Sequence, residues 1–186
     1  MAKISKRPST YLYPVPVVLV TCGTKKPNII TLAWVGTVCS DPPMVGLGVR
    51  PERYSYGLIE ESGEFVINIP GEDLLEVTDR CGHTSGRDID KFSAFGLSPQ
   101  AASEVKTPLI AECPVNMECK VAQRIALGAH TLFLGEIVAV HVDEAVLDEK
   151  GRRIDYDKAK PFMLAFAEYR ELGQVIGSYG YSVKQG

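Results

Sequence analysis

The chain has 186 residues, of which 45% are hydrophobic and 23% charged, a composition that excludes a disordered tail, a collagen-like rod and a coiled coil. Twenty lysines and arginines against twenty-three aspartates and glutamates leave a formal charge of -3, so the chain lacks the overall basic field that DNA or RNA binding requires. We therefore expect one globular domain, residues 1–186, that binds no nucleic acid and holds any phosphate group locally.

The first half of the chain alternates short strands with short helices. The β-branched run at residues 15–22 and a second extended run that begins at Asn28 predict a hairpin closed by the Gly23 turn. Alternating apolar residues and the positions of proline and glycine set the bounds of the next elements. We predict strands over residues 44–50 and 64–70, and helices over residues 51–61, 72–80 and 88–95.

The second half contains two longer runs, residues 116–124 and 131–142. Both faces of the second run are largely apolar, so we expect it to be a strand buried on both sides, either centrally in a barrel or against a second subunit. The acidic segment 143–157 is predicted to be a solvated excursion. Many short strands with few helices favour a mainly β fold, a β-barrel rather than a doubly wound sheet.

Five cysteines, an odd number without a C-x-x-C pair, fit neither a disulfide framework nor a zinc site of ordinary spacing. We interpret them as reduced thiols in the cytoplasm and expect no metal site. Pro14 and Pro16 interrupt the apolar stretch near the N-terminus, which favours a strand there over a signal peptide. No apolar run approaches the roughly 20 residues that span a bilayer, so we expect no membrane association.

The segment from Asn28 to Thr37 combines amide and hydroxyl groups with a small residue, Ala33, and the only tryptophan of the chain, Trp34. Such an edge can hydrogen-bond a planar heterocycle through its main chain while side chains orient the ring. An ordinary strand with Trp34 in the core is the alternative.

The segment from Asp41 to Ser55 places Gly46, Gly48 and Arg50 on one strand face, a strip on which a flat ring could lie. Arg53, Tyr54 and Ser55 follow in the first turn of the predicted helix. Free N–H groups and the positive end of the helix dipole suit a phosphate there. The alternative is that the glycines mark a bulge or tight packing and that the arginines are solvated.

A third segment, residues 80–92, carries two glycines, two hydroxyl side chains, two arginines and a lysine just before a predicted helix. This composition is typical of an anion-binding turn. Its spacing matches neither a Walker loop nor a dinucleotide fingerprint, and generic loop composition is the competing interpretation.

Taken together, these segments resemble the flavin reductase-like, FMN-binding split-barrel family, and within it the flavoredoxin-type proteins. Each motif alone is weak, but they occur in family order and cover roughly residues 9–142. The matching pieces are Asn28-x-x-Thr31-x-Ala33-Trp34, Asp41-Pro42-Pro43, Arg50-Pro51-x-Arg53-Tyr54-Ser55, residues 64–70, Ser85-Gly86-x-Asp88-x-Asp90-Lys91-Phe92 and Gly128-x-His130-Thr131-x-Phe133-x-Gly135-Glu136.

The resemblance implies a homodimer of split β-barrels with one FMN per subunit near the dimer interface. It also implies which residues form the FMN pocket, in three groups. Those beside the isoalloxazine and ribityl chain are Asn28, Thr31, Leu32, Ala33 and Trp34; those at the ribityl and phosphate end are Arg50, Tyr54 and Ser55; those that complete the pocket are Cys81, Gly82, Ser85, Gly86 and Lys91.

By the same resemblance, His130 lies near the nicotinamide side of the flavin, as the one candidate catalytic residue. Ala129 precedes it, where an acidic residue is common in the family. The expected function is an FMN-dependent oxidoreductase that takes electrons from NAD(P)H or a protein donor and passes them to flavin, ferric iron or a partner. An electron carrier without turnover of its own, and a barrel that binds another ligand or none, are the alternatives.

Overall fold

The structure is a computed structural model that describes residues 1–183. Strands predominate in it, and the helices are short. The strands are β1 (Val15–Pro16), β2 (Val18–Cys22), β3 (Asn28–Leu32), β4 (Val35–Ser40), β5 (Pro43–Val49), β6 (Glu64–Ile69), β7 (Pro99–Gln100), β8 (Leu109–Ile110), β9 (Val115–Ala126), β10 (Thr131–Val142), β11 (Phe162–Ala165) and β12 (Glu168–Glu171). The α-helices are α1 (Tyr54–Ser62), α2 (Leu75–His83), α3 (Lys91–Phe95) and α4 (Tyr156–Ala159).

Seven strands form one antiparallel sheet in the order β3-β2-β6-β9-β10-β5-β4, which curls into a half-barrel. The inner face of the sheet carries the core, in which Phe65, Leu47 and Phe133 are fully buried. A second apolar cluster packs α2 and α3 against the other side of β2 and β3. The predicted mainly β, split-barrel architecture is confirmed, and α1, α2 and α3 gather near the β3 edge of the sheet.

The predicted hairpin is confirmed, because β2 and β3 pair antiparallel with Cys22 opposite Asn28. The predicted strand 15–22 was too long: it divides into β1, which pairs with β11, and β2, which belongs to the large sheet. The sequence reading also missed β4, a short strand with mostly exposed residues, and the hairpin of β11 and β12. Helix α3 is shorter than predicted because Asp90 caps it, accepting a hydrogen bond from the Phe92 N–H.

Strand β10 lies centrally in the sheet, between β9 and β5, but only one of its faces is buried within the chain. Phe133 points into the core, whereas Leu132 and Leu134 are half-buried and Val140 is exposed. The expectation of burial on both sides was therefore wrong for the single chain. Burial of the second face of β10 against a second subunit, which was the other possibility for this strand, stays a prediction.

The acidic segment 143–157 is exposed as predicted, but it has more structure than a solvated excursion. Its backbone forms a 3-10 turn at Glu144–Val146 and a bridge between Leu147 and Ile154. Val146 is buried, which anchors the segment to the rest of the chain. Over residues 1–183 no helix is long and apolar enough to cross a membrane.

The fully buried carboxylate of Glu118 on β9 organises the loop that precedes β8. It accepts hydrogen bonds from the backbone N–H groups of Ser103, Glu104 and Val105 at 2.6 to 3.0 Å. The His141 Nε2 lies 2.6 Å from the Glu118 Oε1. Burial alone would raise the pKa of Glu118, but these hydrogen bonds lower it to about 2. His141 thus has a structural role, as a partner of this buried carboxylate.

We expect Glu118→Gln to lower the free energy of unfolding at pH 7 by about 1 to 3 kcal/mol, because an amide cannot accept all of these bonds. The folded pKa lies below the unfolded value of 4.5, so the stabilisation is complete above that pH and is lost as the pH falls toward 2. Urea unfolding at pH 7 and pH 3 measures both effects. Glu112→Gln, at an exposed carboxylate that accepts from the Ser98 N–H, is the matched control; equal losses in the two variants would contradict the prediction.

Candidate functional site

A cavity of ≈360 Å³ opens at the β3 edge of the sheet, where β3 meets the first turn of α1 and the last turn of α2. All of the predicted cofactor-binding residues, and His130, line this one cavity. They are Asn28, Thr31, Leu32, Ala33, Trp34, Arg50, Tyr54, Ser55, Cys81, Gly82, Ser85, Gly86, Lys91 and His130. The fold thus brings together three segments that are separate in sequence and adds the turn between β9 and β10. Their role toward FMN stays a prediction.

Lys91 lines this cavity, which is predicted to hold the flavin and is called the flavin-site cavity below, and the residue is only 3% exposed. Its Nζ donates to the backbone carbonyls of Ile29 and Cys81, both at 2.7 Å. An ammonium has three N–H donors, so one is left. No carboxylate of residues 1–183 forms a salt bridge with it. Burial lowers the pKa of Lys91, which is the response of a cation held without a counter-ion.

Asn28, Ser55 and Gly86 form the polar floor of the cavity. The buried Asn28 side chain donates from Nδ2 to the Ser55 Oγ at 2.8 Å, linking β3 to the first turn of α1. A Cβ atom at residue 86 would lie 2.0 Å from the Asn28 Oδ1, so only glycine allows the loop to approach this closely. The glycine of the Ser85-Gly86 motif is therefore required for steric reasons.

Trp34 and His130 form the opposite wall of the cavity. Their rings stack with centroids 4.8 Å apart and planes inclined by 8°. Trp34 is 49% exposed, so the alternative that placed it in the core was wrong. Gly48 lies beneath the pair, since a Cβ atom there would meet the Trp34 Cβ at 3.3 Å. The cavity thus has an aromatic end and a cationic end.

The glycine strip predicted for a flat ring is only partly available. Gly48 lines the cavity, but the space above Gly46 is filled by Leu132 and Val38, which lie 3.1 and 3.3 Å from where its Cβ would be. The alternative of tight packing therefore applies to Gly46. Side chains that close over a glycine from neighbouring strands cannot be read from the strand's own sequence.

The mouth of the cavity is basic. Arg50, Arg53 and Arg87 line it, and all three residues are exposed. The Arg87 guanidinium lies over the Tyr54 ring, 5.6 Å from its centroid, and its nitrogens lie 3.4 Å from the Glu52 carbonyl oxygen. Arg50 also forms a salt bridge with Glu52, at 3.7 Å. Lys91 and the three arginines provide four positive charges against this one carboxylate, which is enough for a dianionic phosphate.

Two buried cysteines lie beside Lys91. Burial raises the pKa of the Cys81 thiol to about 11 and that of Cys22 to about 12. Both are therefore protonated at neutral pH and are not nucleophilic thiolates. All five cysteines are free in the structure, as predicted.

Five further lining residues have no role in the sequence-based prediction: Ile30, Val49, Glu52, His83 and Thr84. All five lie inside the three predicted segments, and that position is the only signal that could have identified them. No group of three metal-ligating side chains occurs in the part of the chain that the structure describes.

Comparison with known proteins agrees with this geometry. Residues 10–173 match the family described as flavin reductase like domain, so the chain belongs to this family. It is 35% identical to flavoredoxin of Desulfovibrio vulgaris (Miyazaki F), with a TM-score of 0.91 over 98% of this chain and 100% of the other. It is 34% identical to flavoredoxin from Methanosarcina acetivorans, with a TM-score of 0.89 over 99% and 100%.

An FMN-binding protein from Thermus thermophilus, solved with bound 1-cyclohex-2-enone, shares the fold at 23% identity. Its TM-score is 0.79 over 96% of this chain and 98% of the other. Membership of the flavin reductase-like family and the similarity to the two flavoredoxins support a flavin-related, oxidoreductase-type role for the chain.

Proposed function

We propose that the chain is an FMN-binding oxidoreductase that passes electrons through bound FMN from NAD(P)H or a protein donor to flavin, ferric iron or a partner. The observation that carries the proposal is the buried Lys91 ammonium, which has a free donor and no carboxylate among residues 1–183. A buried cation without a counter-ion favours an anionic ligand in the same cavity.

The residues present fit FMN. The phosphate carries close to two negative charges, and Lys91 with the three arginines at the cavity mouth would hold it by charge-assisted hydrogen bonds. Asn28, together with the exposed Trp34 ring, would orient the isoalloxazine. FMN supplies the redox chemistry when bound, and the protein supplies binding, orientation and electrostatics. No side-chain nucleophile is needed, which agrees with the protonated state of Cys81.

Binding of FMN can be followed through Trp34, the only tryptophan of the chain. We expect the purified protein to be yellow, or FMN to bind the colourless protein, quench the Trp34 fluorescence and raise the melting temperature. Riboflavin, which lacks the phosphate, is the matched ligand and is expected to bind more weakly. A colourless protein in which FMN changes neither the fluorescence nor the melting temperature would overturn the proposal.

An electron carrier without turnover of its own is the second candidate, favoured by Ala129 beside His130. Stopped-flow mixing of the FMN-loaded protein with NADH and with NADPH separates the two functions. Rapid loss of the flavin absorbance near 450 nm would eliminate the pure carrier, whereas an unchanged spectrum with both nucleotides would favour it.

We further propose that the protein is cytoplasmic and forms a homodimer. The dimer would form through the outer face of β4, β5 and β10. Val38, Leu132 and Leu134 surround Gly46 on this face, and Val38 is exposed. The face continues to Gly48 and hence to the Trp34 wall of the flavin-site cavity. A second copy seated there would cover apolar surface and adjoin the site. Analytical ultracentrifugation of the parent and of Val38→Lys tests this; the same molar mass for both would contradict it.

A further inference from the structure

A second cavity, which measures ≈440 Å³, lies beside Trp34. Residues 9–13 and Val15 form one wall of this apolar chamber, and Ala33, Trp34 and Val35 form the other. Ala33 and Trp34 line the flavin-site cavity as well. A molecule in the apolar chamber would therefore contact the same β3–β4 turn as a molecule in the flavin-site cavity.

The N-terminal wall of the apolar chamber is anchored to the rest of the fold. Val15 pairs with Leu164 in the small sheet. The Tyr13 ring packs edge-on against Phe166, with centroids 6.1 Å apart, and the Tyr13 N–H donates to the Tyr11 carbonyl at 3.0 Å. Tyr13 and Val15 thus fix one end of this wall, whereas Tyr11 and Leu12 are mostly exposed.

The two cavities differ in the charge of the residues that line them. None of the chamber-lining residues within 1–183 carries a charge, whereas three arginines, one lysine and one glutamate line the flavin-site cavity. The polar side chains of the chamber are hydroxyl groups, among them those of Tyr11 and Tyr13, which can donate hydrogen bonds to a carbonyl or nitro group. Transfer of a charged ligand from water into such a cavity is unfavourable, so we expect the chamber to bind uncharged ligands in preference to charged ones.

We propose that the apolar chamber binds uncharged, flat compounds of one or two rings as the substrate side of the flavin site. The aromatic lining suits a flat ring, and the volume lies within the range of small-molecule pockets. The substrate role rests on the proposed function. The binding itself depends only on the chamber.

Methyl 4-nitrobenzoate and 4-nitrobenzoate are a matched pair of probes, because they share the ring and nitro group and differ in charge. We expect the ester to quench Trp34 fluorescence saturably and the acid to bind at least tenfold more weakly. Calorimetry with the ester repeats the measurement on FMN-loaded protein. N-acetyltryptophanamide corrects for collisional quenching and for absorption by the probes.

Leu12→Glu places a charge in the chamber at a residue that is 89% exposed, so folding is not at risk. We expect it to weaken ester binding about tenfold, because the variant loses one apolar contact and gains a charge beside the ligand. Ile4→Glu makes the same change at a 78% exposed residue outside the chamber and is expected to bind the ester like the parent. Neither variant should change the affinity for FMN.

Three results would overturn the inference: equal binding of ester and acid, equal binding by the Leu12 and Ile4 variants, or no saturable binding to the parent because a second copy fills the chamber. FMN titrations on the same samples keep the two proposals apart. If FMN does not bind but the ester binds with the expected discrimination, the proposed function fails and the chamber stands as a ligand site.

Discussion

Replacing Lys91 by methionine will weaken FMN binding by about 1 to 3 kcal/mol, roughly 5- to 150-fold in Kd, because it removes a charge-assisted hydrogen bond to the phosphate. Methionine keeps the unbranched length, so the packing beside Cys81 is largely retained. Fluorescence titration of Trp34 with FMN gives the Kd. Riboflavin affinity should change little, since riboflavin has no phosphate.

The pH dependence of the same binding provides a second measurement. Burial lowers the pKa of free Lys91, and a bound phosphate would raise it again, so FMN affinity is complete below the pKa of the free protein and falls as the pH rises through it. The FMN affinity of the Lys91→Met variant should not show this fall with rising pH. Lys25→Met, which removes a charge from the exposed turn before β3, is the control. Equal affinities for the Lys91 variant and the parent would remove Lys91 from the phosphate site.

Gly86→Ala will have the second large effect. The added methyl would lie 2.0 Å from the Asn28 Oδ1, so either the loop or the buried amide must move and the 2.8 Å bond from Asn28 to Ser55 is strained or lost. We expect a loss of about 1 to 3 kcal/mol in the free energy of unfolding. FMN binding should fall at least tenfold. Chemical unfolding and the Trp34 titration measure the two effects separately.

Gly173→Ala is the control for this substitution, because nothing lies within 4 Å of the added Cβ atom and the residue is outside both the flavin-site cavity and the proposed dimer face. Its stability and FMN affinity should match those of the parent. Unchanged FMN affinity in Gly86→Ala would show that the close approach of the loop to Asn28 is not needed for binding.

Local patterns predicted the parts of the site that depend on nearby residues. Asn28 begins β3 as expected, whereas α1 begins at Tyr54, three residues after the predicted start at Pro51. The exposed edge strand β4 was missed because its residues lack the alternation that identifies a half-buried strand. The strip around Gly46 was misread because its occupants, Leu132 and Val38, come from neighbouring strands.

The sequence by itself determined the mainly β class and the segments that carry amide, hydroxyl and cationic groups, since these follow from residue type and local periodicity. The near-neutral charge of -3 also excluded a basic field over the whole surface. Only the tertiary structure decided that Lys91 is buried against two carbonyls, that Trp34 stacks on His130, and that a second, uncharged cavity adjoins the first. These features depend on contacts between residues far apart in the chain, which no local pattern encodes.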